Sequence, residues 1–246
     1  MELTECKLEF SLCEKSDAAV PVIIVAAGSS SRMKGADKQF LILDGIPVIA
    51  RTLMAFENNP LISDIILVTR EENIPKMQLI AERFAVRKLT DITVGGNSRE
   101  ESVLCGLRRV GKDCGSVLIH DGARPLVGSA VISGVVTALR TYPAVTCAVP
   151  VKDTIKRVGE NKTVIETPDR SSLYAVQTPQ GVHIKEYLYA AEKAGEALSG
   201  FTDDMSVMEA AGFPVHITDG SYKNIKITTP EDIILAQYML GSETEE

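Results

Sequence analysis

The chain has no tryptophan, three histidines and five cysteines in 246 residues, and each scarcity closes off a chemistry. His120, His183 and His216 stand apart, without metal-ligand spacing such as HExxH. Cys6, Cys13, Cys105, Cys114 and Cys147 are odd in number and include no CxxC pair. They support neither a zinc site nor a disulfide framework and read as buried free thiols. No apolar run approaches the ~20 residues that a membrane helix needs, so no membrane partner is expected. The opening residues, MELTECKLEFSLCEKSD, mix acids into apolar positions and lack the basic start of a signal peptide, which makes the cytoplasm the expected location. A basic excess is missing too: 26 Lys and Arg stand against 33 Asp and Glu, a formal net charge of -7. That argues against a nucleic-acid partner but leaves room for a small basic pocket. Whatever this chain does, it does without a cysteine nucleophile or a histidine cluster.

Hydrophobic residues make up 45% and charged residues 24%, an ordinary composition for a globular protein long enough to bury one sizeable core. Residues 1–18 read as an appended tail, and 19–246 as a single domain. From Pro21 onward, short β-branched runs alternate with amphipathic segments. Strands are expected at 22–26, 65–69, 91–94, 117–120 and 145–149, and helices at 47–58, 74–84, 99–109 and 129–141. Strands with little polar alternation, joined by helices, predict an α/β fold with a mostly parallel central sheet flanked by helices on both faces. After Pro150 the pattern changes. Two alternating runs, 154–158 and 163–167, surround a GENK turn and read as a protruding β-hairpin arm at about 151–172. Helices near 183–196 and 203–211, strands near 215–218 and 225–228, and a last helix opening at Pro230 complete the reading.

The first strand runs into VPVIIVAAGSSSRMKGADKQF, residues 20–40: an apolar run ending in small residues, then Arg32, Lys34 and Lys38. A dinucleotide fingerprint needs GxGxxG, and neither later glycine follows Gly28. The segment GLRRVGKD from Gly106 nearly matches a P-loop, but Asp113 stands where a hydroxyl should bind magnesium, and Gly106 falls inside a helical pattern. That near-match reads as chance. The first loop is the better phosphate site. Ala26, Ala27 and Gly28 leave room for a base or ribose against the backbone, Arg32 offers a planar fork, and Lys38 a mobile point charge.

Further along, VGGNSREESV, IHDGARPLV, VKDTIKRV, TPDRSSLYAVQTPQGV, FTDDMSVMEAAG and NIKITTPEDI follow in order. With the first loop, this ordered set resembles the 2-C-methyl-D-erythritol 4-phosphate cytidylyltransferase family, CTP-dependent enzymes of the non-mevalonate isoprenoid pathway. The resemblance runs from about Pro21 to Gly241 and implies a Rossmann-like nucleotidyltransferase fold. The implied reaction joins CTP to methylerythritol phosphate and releases pyrophosphate, with magnesium on the triphosphate. By the same resemblance Arg32, Lys38, Arg170 and Lys226 are catalytic, stabilising charge at the reacting phosphorus. Ala26, Ala27 and Gly28 line the nucleotide; Gly96, Asn97 and Ser102 read cytosine; Asp121 and Gly122 contact ribose. The family often has Asp where this chain has Asn97, a change that a backbone contact would tolerate. Asp121, Arg124, Thr154, Arg170 and Lys226 hold the alcohol phosphate, and Asp121 is the one protein ligand to consider for the metal. The arm is expected to complete a homodimer. Ribitol-phosphate cytidylyltransferase is the nearest alternative. A non-catalytic nucleotide sensor, or a nicotinamide-dependent oxidoreductase, would be the alternatives of other classes.

Overall fold

The computed structural model describes residues 19–28 and 37–241. The tail at 1–18, Arg32 and Lys34 lie outside them, as do Cys6 and Cys13. Along the chain, β1 (Val20–Val25) is followed by a small hairpin, β2 (Ile42–Leu43) and β3 (Ile46–Pro47), and then α1 (Val48–Glu57). Next come β4 (Ile62–Thr69), α2 (Ile74–Arg83), β5 (Leu89–Val94), α3 (Arg99–Leu107), β6 (Ser116–Asp121), α4 (Ser129–Ala138) and β7 (Ala144–Pro150). The arm contains β8 (Arg157–Val158) and β9 (Val164–Glu166). The chain closes with β10 (Tyr174–His183), α5 (Ile184–Ala194), α6 (Asp204–Ala211), β11 (His216–Asp219) and α7 (Pro230–Gly241).

Seven strands form one sheet in the order β11-β7-β10-β6-β1-β4-β5. Every neighbouring pair is parallel except those of β10, which runs antiparallel to both β6 and β7. The apolar runs follow from burial on both faces. Val22 and Ile24 of β1 pack with α1 and α4 residues such as Leu53 and Ile132, while Ile23 faces the layer of Val103, Tyr187 and Met208 on α3, α5 and α6. A third cluster joins Leu43, Val48 and Ala123 to Ile227 and to Ala236 of α7. From β1 the chain steps to β4 and β5 on one side, then crosses back to β6 on the other. That reversal puts a crevice at the carboxyl ends of β1 and β6, where open α/β sheets bind ligands.

Four expectations need correction. The run at 225–228 is no strand: Ile227 makes a single backbone bond, to Ala123. The arm's hairpin is real but shorter than its alternating pattern, pairing Arg157 with Glu166 and Val158 with Val164. Strand β10 lies between the arm and the next helix, where the residue pattern predicts no element. It contains Pro179, which cannot donate to a ladder, and its pairing with β7 shifts register between Val176 and Gln180. Of the described cysteines only Cys147 is buried; Cys105 and Cys114 are half-buried.

Candidate active site

The four parallel strands β1, β4, β5 and β6 end level with one another. The amide of Ala26 bonds Val68, that of Gly95 bonds Thr69, and that of Gly122 bonds Val25. This brings Ala26–Gly28, Gly95–Asn97 and Asp121–Gly122 to one edge. Gly95 sits so close to Ala27 that a Cβ there would lie 2.6 Å from the alanine methyl.

The loop after β5 is held from within. Ser102 Oγ accepts from the Gly96 amide at 3.1 Å and donates to the Ser98 carbonyl at 2.8 Å. The Asn97 amide donates to the Glu101 carboxylate at 2.7 Å, and Ser98 caps α3 through the Glu101 amide. With these two amides engaged inside the loop, its carbonyls and the exposed Asn97 side chain are what it has to offer a base.

Lys38 opens a helical turn capped by Asp37, whose Oδ1 accepts from the Gln39 amide. The other oxygen of Asp37 accepts from Arg70 at 2.6 Å and Asn73 at 2.9 Å, so the turn is tied to the segment after β4. Gln39 is buried, and its side-chain oxygen lies 3.0 Å from where a Cβ on Gly122 would stand. The turn carrying Lys38 therefore packs directly on the turn that follows β6.

Asp121 is the electrostatic centre. Lys226 Nζ lies 2.8 Å and Arg124 Nε 3.5 Å from its Oδ2, and Arg99 Nε lies 3.6 Å from Oδ1. Burial opposes its charge, but Lys226, Arg99 and Arg124 outweigh that effect and hold the carboxyl well below the usual carboxylate range. These four residues line a cavity of about 260 Å³ with Gln177, Thr178, Gln180, Thr202 and Asp203 among its other walls. Among the described residues, a buried nitrogen of Arg99 and one of Arg124 have no hydrogen-bond partner, a local excess of donors suited to an anion.

The backbone under this centre is braced by His120. The Asp121 amide donates to Thr178 Oγ1 at 3.1 Å, which leaves the hydroxyl proton for His120 Nδ1 at 3.0 Å. Nε2 then carries the imidazole hydrogen and donates to the Arg124 carbonyl at 3.3 Å. Arg124 in turn donates to the Asn224 carbonyl at 2.7 Å, two residues before Lys226.

Comparison with known proteins decides what such a site belongs to. Residues 20–242 match the sequence profile of 2-C-methyl-D-erythritol 4-phosphate cytidylyltransferase. A protein of that name from Halalkalibacterium halodurans is 45% identical over 224 residues, spanning 90% of this chain and 97% of its own. One from Bacillus cereus is 43% identical over 220 residues, 89% of this chain and 96% of its own. The crystal structure of 4-diphosphocytidyl-2C-methyl-D-erythritol synthase from Anaerococcus prevotii is similar at a TM-score of 0.81 and 33% identity, covering 91% of this chain and 96% of that one. This chain belongs to the 2-C-methyl-D-erythritol 4-phosphate cytidylyltransferase family.

The structure brings most of the sequence-chosen residues to this edge: Ala26, Ala27, Gly28, Lys38, Gly96, Asn97, Ser102, Asp121, Gly122, Arg124 and Lys226. Thr154 and Arg170 are not among the cavity walls; they sit on the exposed arm, where Arg170 donates to the Lys152 carbonyl at 2.7 Å. The sequence reading missed Arg99 and its partner Asp204. A signal was available: an arginine in the first turn of a helix opposes the helix dipole, so its placement calls for a tertiary anion.

Proposed function

We propose that this chain transfers the cytidylyl group of CTP to 2-C-methyl-D-erythritol 4-phosphate, giving 4-diphosphocytidyl-2-C-methyl-D-erythritol and pyrophosphate, in the cytoplasm and as a homodimer. The observation that carries the reading is the convergence, at one sheet edge, of a small-residue strand end, an amide-saturated loop and an acid held by three cations. The nucleophile is a phosphate oxygen of the acceptor, already anionic because a phosphate monoester loses its second proton at about pH 6. It bonds the α-phosphorus of CTP as the bond to pyrophosphate breaks, and no general base is required.

Catalysis is then positioning plus charge stabilisation. Lys38 and Arg32 stabilise the charge that builds at the α-phosphorus. Lys226 and Arg124 grip the acceptor phosphate, joined by Thr154 and Arg170 from the arm. Carbonyls of the Gly96–Asn97 loop accept from the cytosine amino group, Ala26, Ala27, Gly28 and Gly122 seat the nucleoside, and Asp121 sets the place of Lys226 and Arg124 beside the acceptor. Both oxygens of Asp121 already face cations, and no cluster of three or more metal-binding side chains occurs among the described residues, so the site fits magnesium only as an ion held by the phosphates. Bound there, it would neutralise the triphosphate.

Pyrophosphate release with CTP and each alcohol phosphate in turn tests the reading. Release with methylerythritol phosphate is expected; release only with ribitol phosphate would assign the alternative acceptor, and release with neither would reject transfer altogether.

A further inference from the structure

Among the described residues, Arg99 is the one cation on Asp121 that is also paired with a second carboxylate. Its Nη2 lies 2.7 Å from Asp204 Oδ2, and the Asp204 side chain is completely buried. Asp204 is pinned in turn: the Tyr187 hydroxyl donates to its Oδ1 at 2.9 Å, and its amide donates to Gln180 Oε1 at 3.1 Å. Tyr187 is itself completely buried. Gln180 also donates to Asp203 at 2.7 Å, the N-cap of α6. If Arg99 swung away, Asp204 would be a buried carboxylate without its cation, a strongly unfavourable state.

The other two cations are differently placed. The Lys226 side chain is 37% exposed, and Arg124 is held by a carbonyl instead of a carboxylate partner of its own. All three line the cavity, but Arg99 is tied to Asp204, so Lys226 and Arg124 are the two that a dianionic phosphate entering it would draw away. Asp121 would then keep one cation only. Arg99 also follows Ser98, the cap that ends the Gly95–Asn97 loop, so one side chain links that loop to the acceptor side of the cavity.

We propose that Arg99 is a positioning residue: braced by Asp204 and Tyr187, it holds the Asp121 carboxylate in place when Lys226 and Arg124 turn to the acceptor phosphate. The inference rests on the cytidylyl-transfer reading above. It predicts that Arg99 acts through Asp121 and on the acceptor, not on CTP.

The test is a double-mutant cycle read by steady-state pyrophosphate release. Arg99→Met should lower kcat/KM for methylerythritol phosphate roughly a hundredfold while the KM for CTP changes less than about threefold, with Arg99→Lys intermediate. Combined with Asp121→Asn it should add almost nothing to the loss that Asp121→Asn causes alone. Tyr187→Phe, which removes only the hydroxyl brace, should shift the acceptor parameter in the same direction by a smaller factor. It carries the same cycle with Asp121→Asn if Arg99→Met does not fold. Additive losses, or equal losses for CTP and acceptor, overturn the role of Arg99 while leaving an active wild type to support the transfer reading. A wild type that releases no pyrophosphate with either alcohol phosphate overturns both.

Discussion

A Cβ on Gly95 would stand 2.6 Å from the Cβ of Ala27, closer than two such atoms approach. The end of β1 and the loop after β5 are thus in backbone-level contact, and any side chain at Gly95 must push them apart. Gly95→Ala should weaken CTP binding tenfold or more by calorimetry. Gly28 offers a control, since among the described residues nothing lies within 4 Å of its Cβ position. Gly28→Ala should leave the melting temperature unchanged, yet still weaken CTP where a nucleoside lies against this strand end. Unchanged affinity in both variants would move the nucleotide away from this edge.

Lys38→Ala should reduce kcat on the order of a hundredfold or more with little change in CTP affinity, the pattern of a lost transition-state donor. Arg32→Lys should also fail substantially, because an ammonium cannot reproduce a guanidinium fork. Asp37 anchors the turn that carries Lys38 through Arg70 and Asn73. Asp37→Ala should therefore lower kcat in the same direction by a smaller factor. Near-normal turnover in Lys38→Ala would remove Lys38 from the chemistry.

Much of this arrangement was legible in the residue pattern. The β-branched runs reported strands buried on both faces, and the ordered small, acidic and basic motifs reported where those strands end. What escaped was set by tertiary contact. Pro179 interrupts the strand pattern of β10, and only its neighbours β6 and β7 make that segment a strand. Isoleucines at 225 and 227 alternate like a strand, but both pack on the α7 cluster and neither joins a ladder. The Arg99–Asp204 pair spans 105 positions, a distance over which no spacing rule operates.

The near-match to a P-loop has a structural explanation that can be tested. Gly106 lies within α3, and a Cβ there would stand 2.6 Å from Ile23 and 3.0 Å from Val68. The glycine lets the helix approach the sheet. Gly106→Ala should lower stability by about 1–3 kcal/mol through overpacking and leave the CTP affinity of the folded protein intact. Lys112, exposed beyond the end of α3, should tolerate Ala without change in affinity or turnover. Loss of CTP binding in Lys112→Ala would reinstate that segment as a phosphate loop.

His120 makes stability depend on pH. Burial, opposed by Asp121 and reinforced by Arg124 and Lys226, pushes its pKa from 6.5 down to about 3. Because the unfolded chain takes up this proton first, the contribution is fully present above pH 6.5. It is lost as pH falls from there toward about 3. His120→Gln removes the titration. The difference in unfolding free energy between wild type and variant, from urea titrations at pH 7, 6, 5 and 4, should shrink by up to about 1.4 kcal/mol per pH unit below 6. A difference that stays constant with pH would mean that the folded protein takes up this proton as readily as the unfolded chain does.

The last prediction concerns the arm. Its hairpin pairs few residues, and Ile155, Val158, Val164 and Ile165 are all exposed on it, apolar surface that a lone hairpin does not retain without something to cover it. The same arm carries Thr154 and Arg170, away from the cavity walls of their own chain. A two-fold assembly in which each arm reaches the partner's site would cover the apolar residues and deliver both polar ones at once. Lys38→Ala and Arg170→Ala should each be inactive alone. After subunit exchange, a mixed dimer would hold one site bearing both lesions and one bearing neither. Up to half of the mixed dimers' sites would then be intact, and activity should return in proportion to exchange, followed by differently tagged subunits. If exchange is complete and no activity returns, Arg170 works within its own chain and the shared site is wrong.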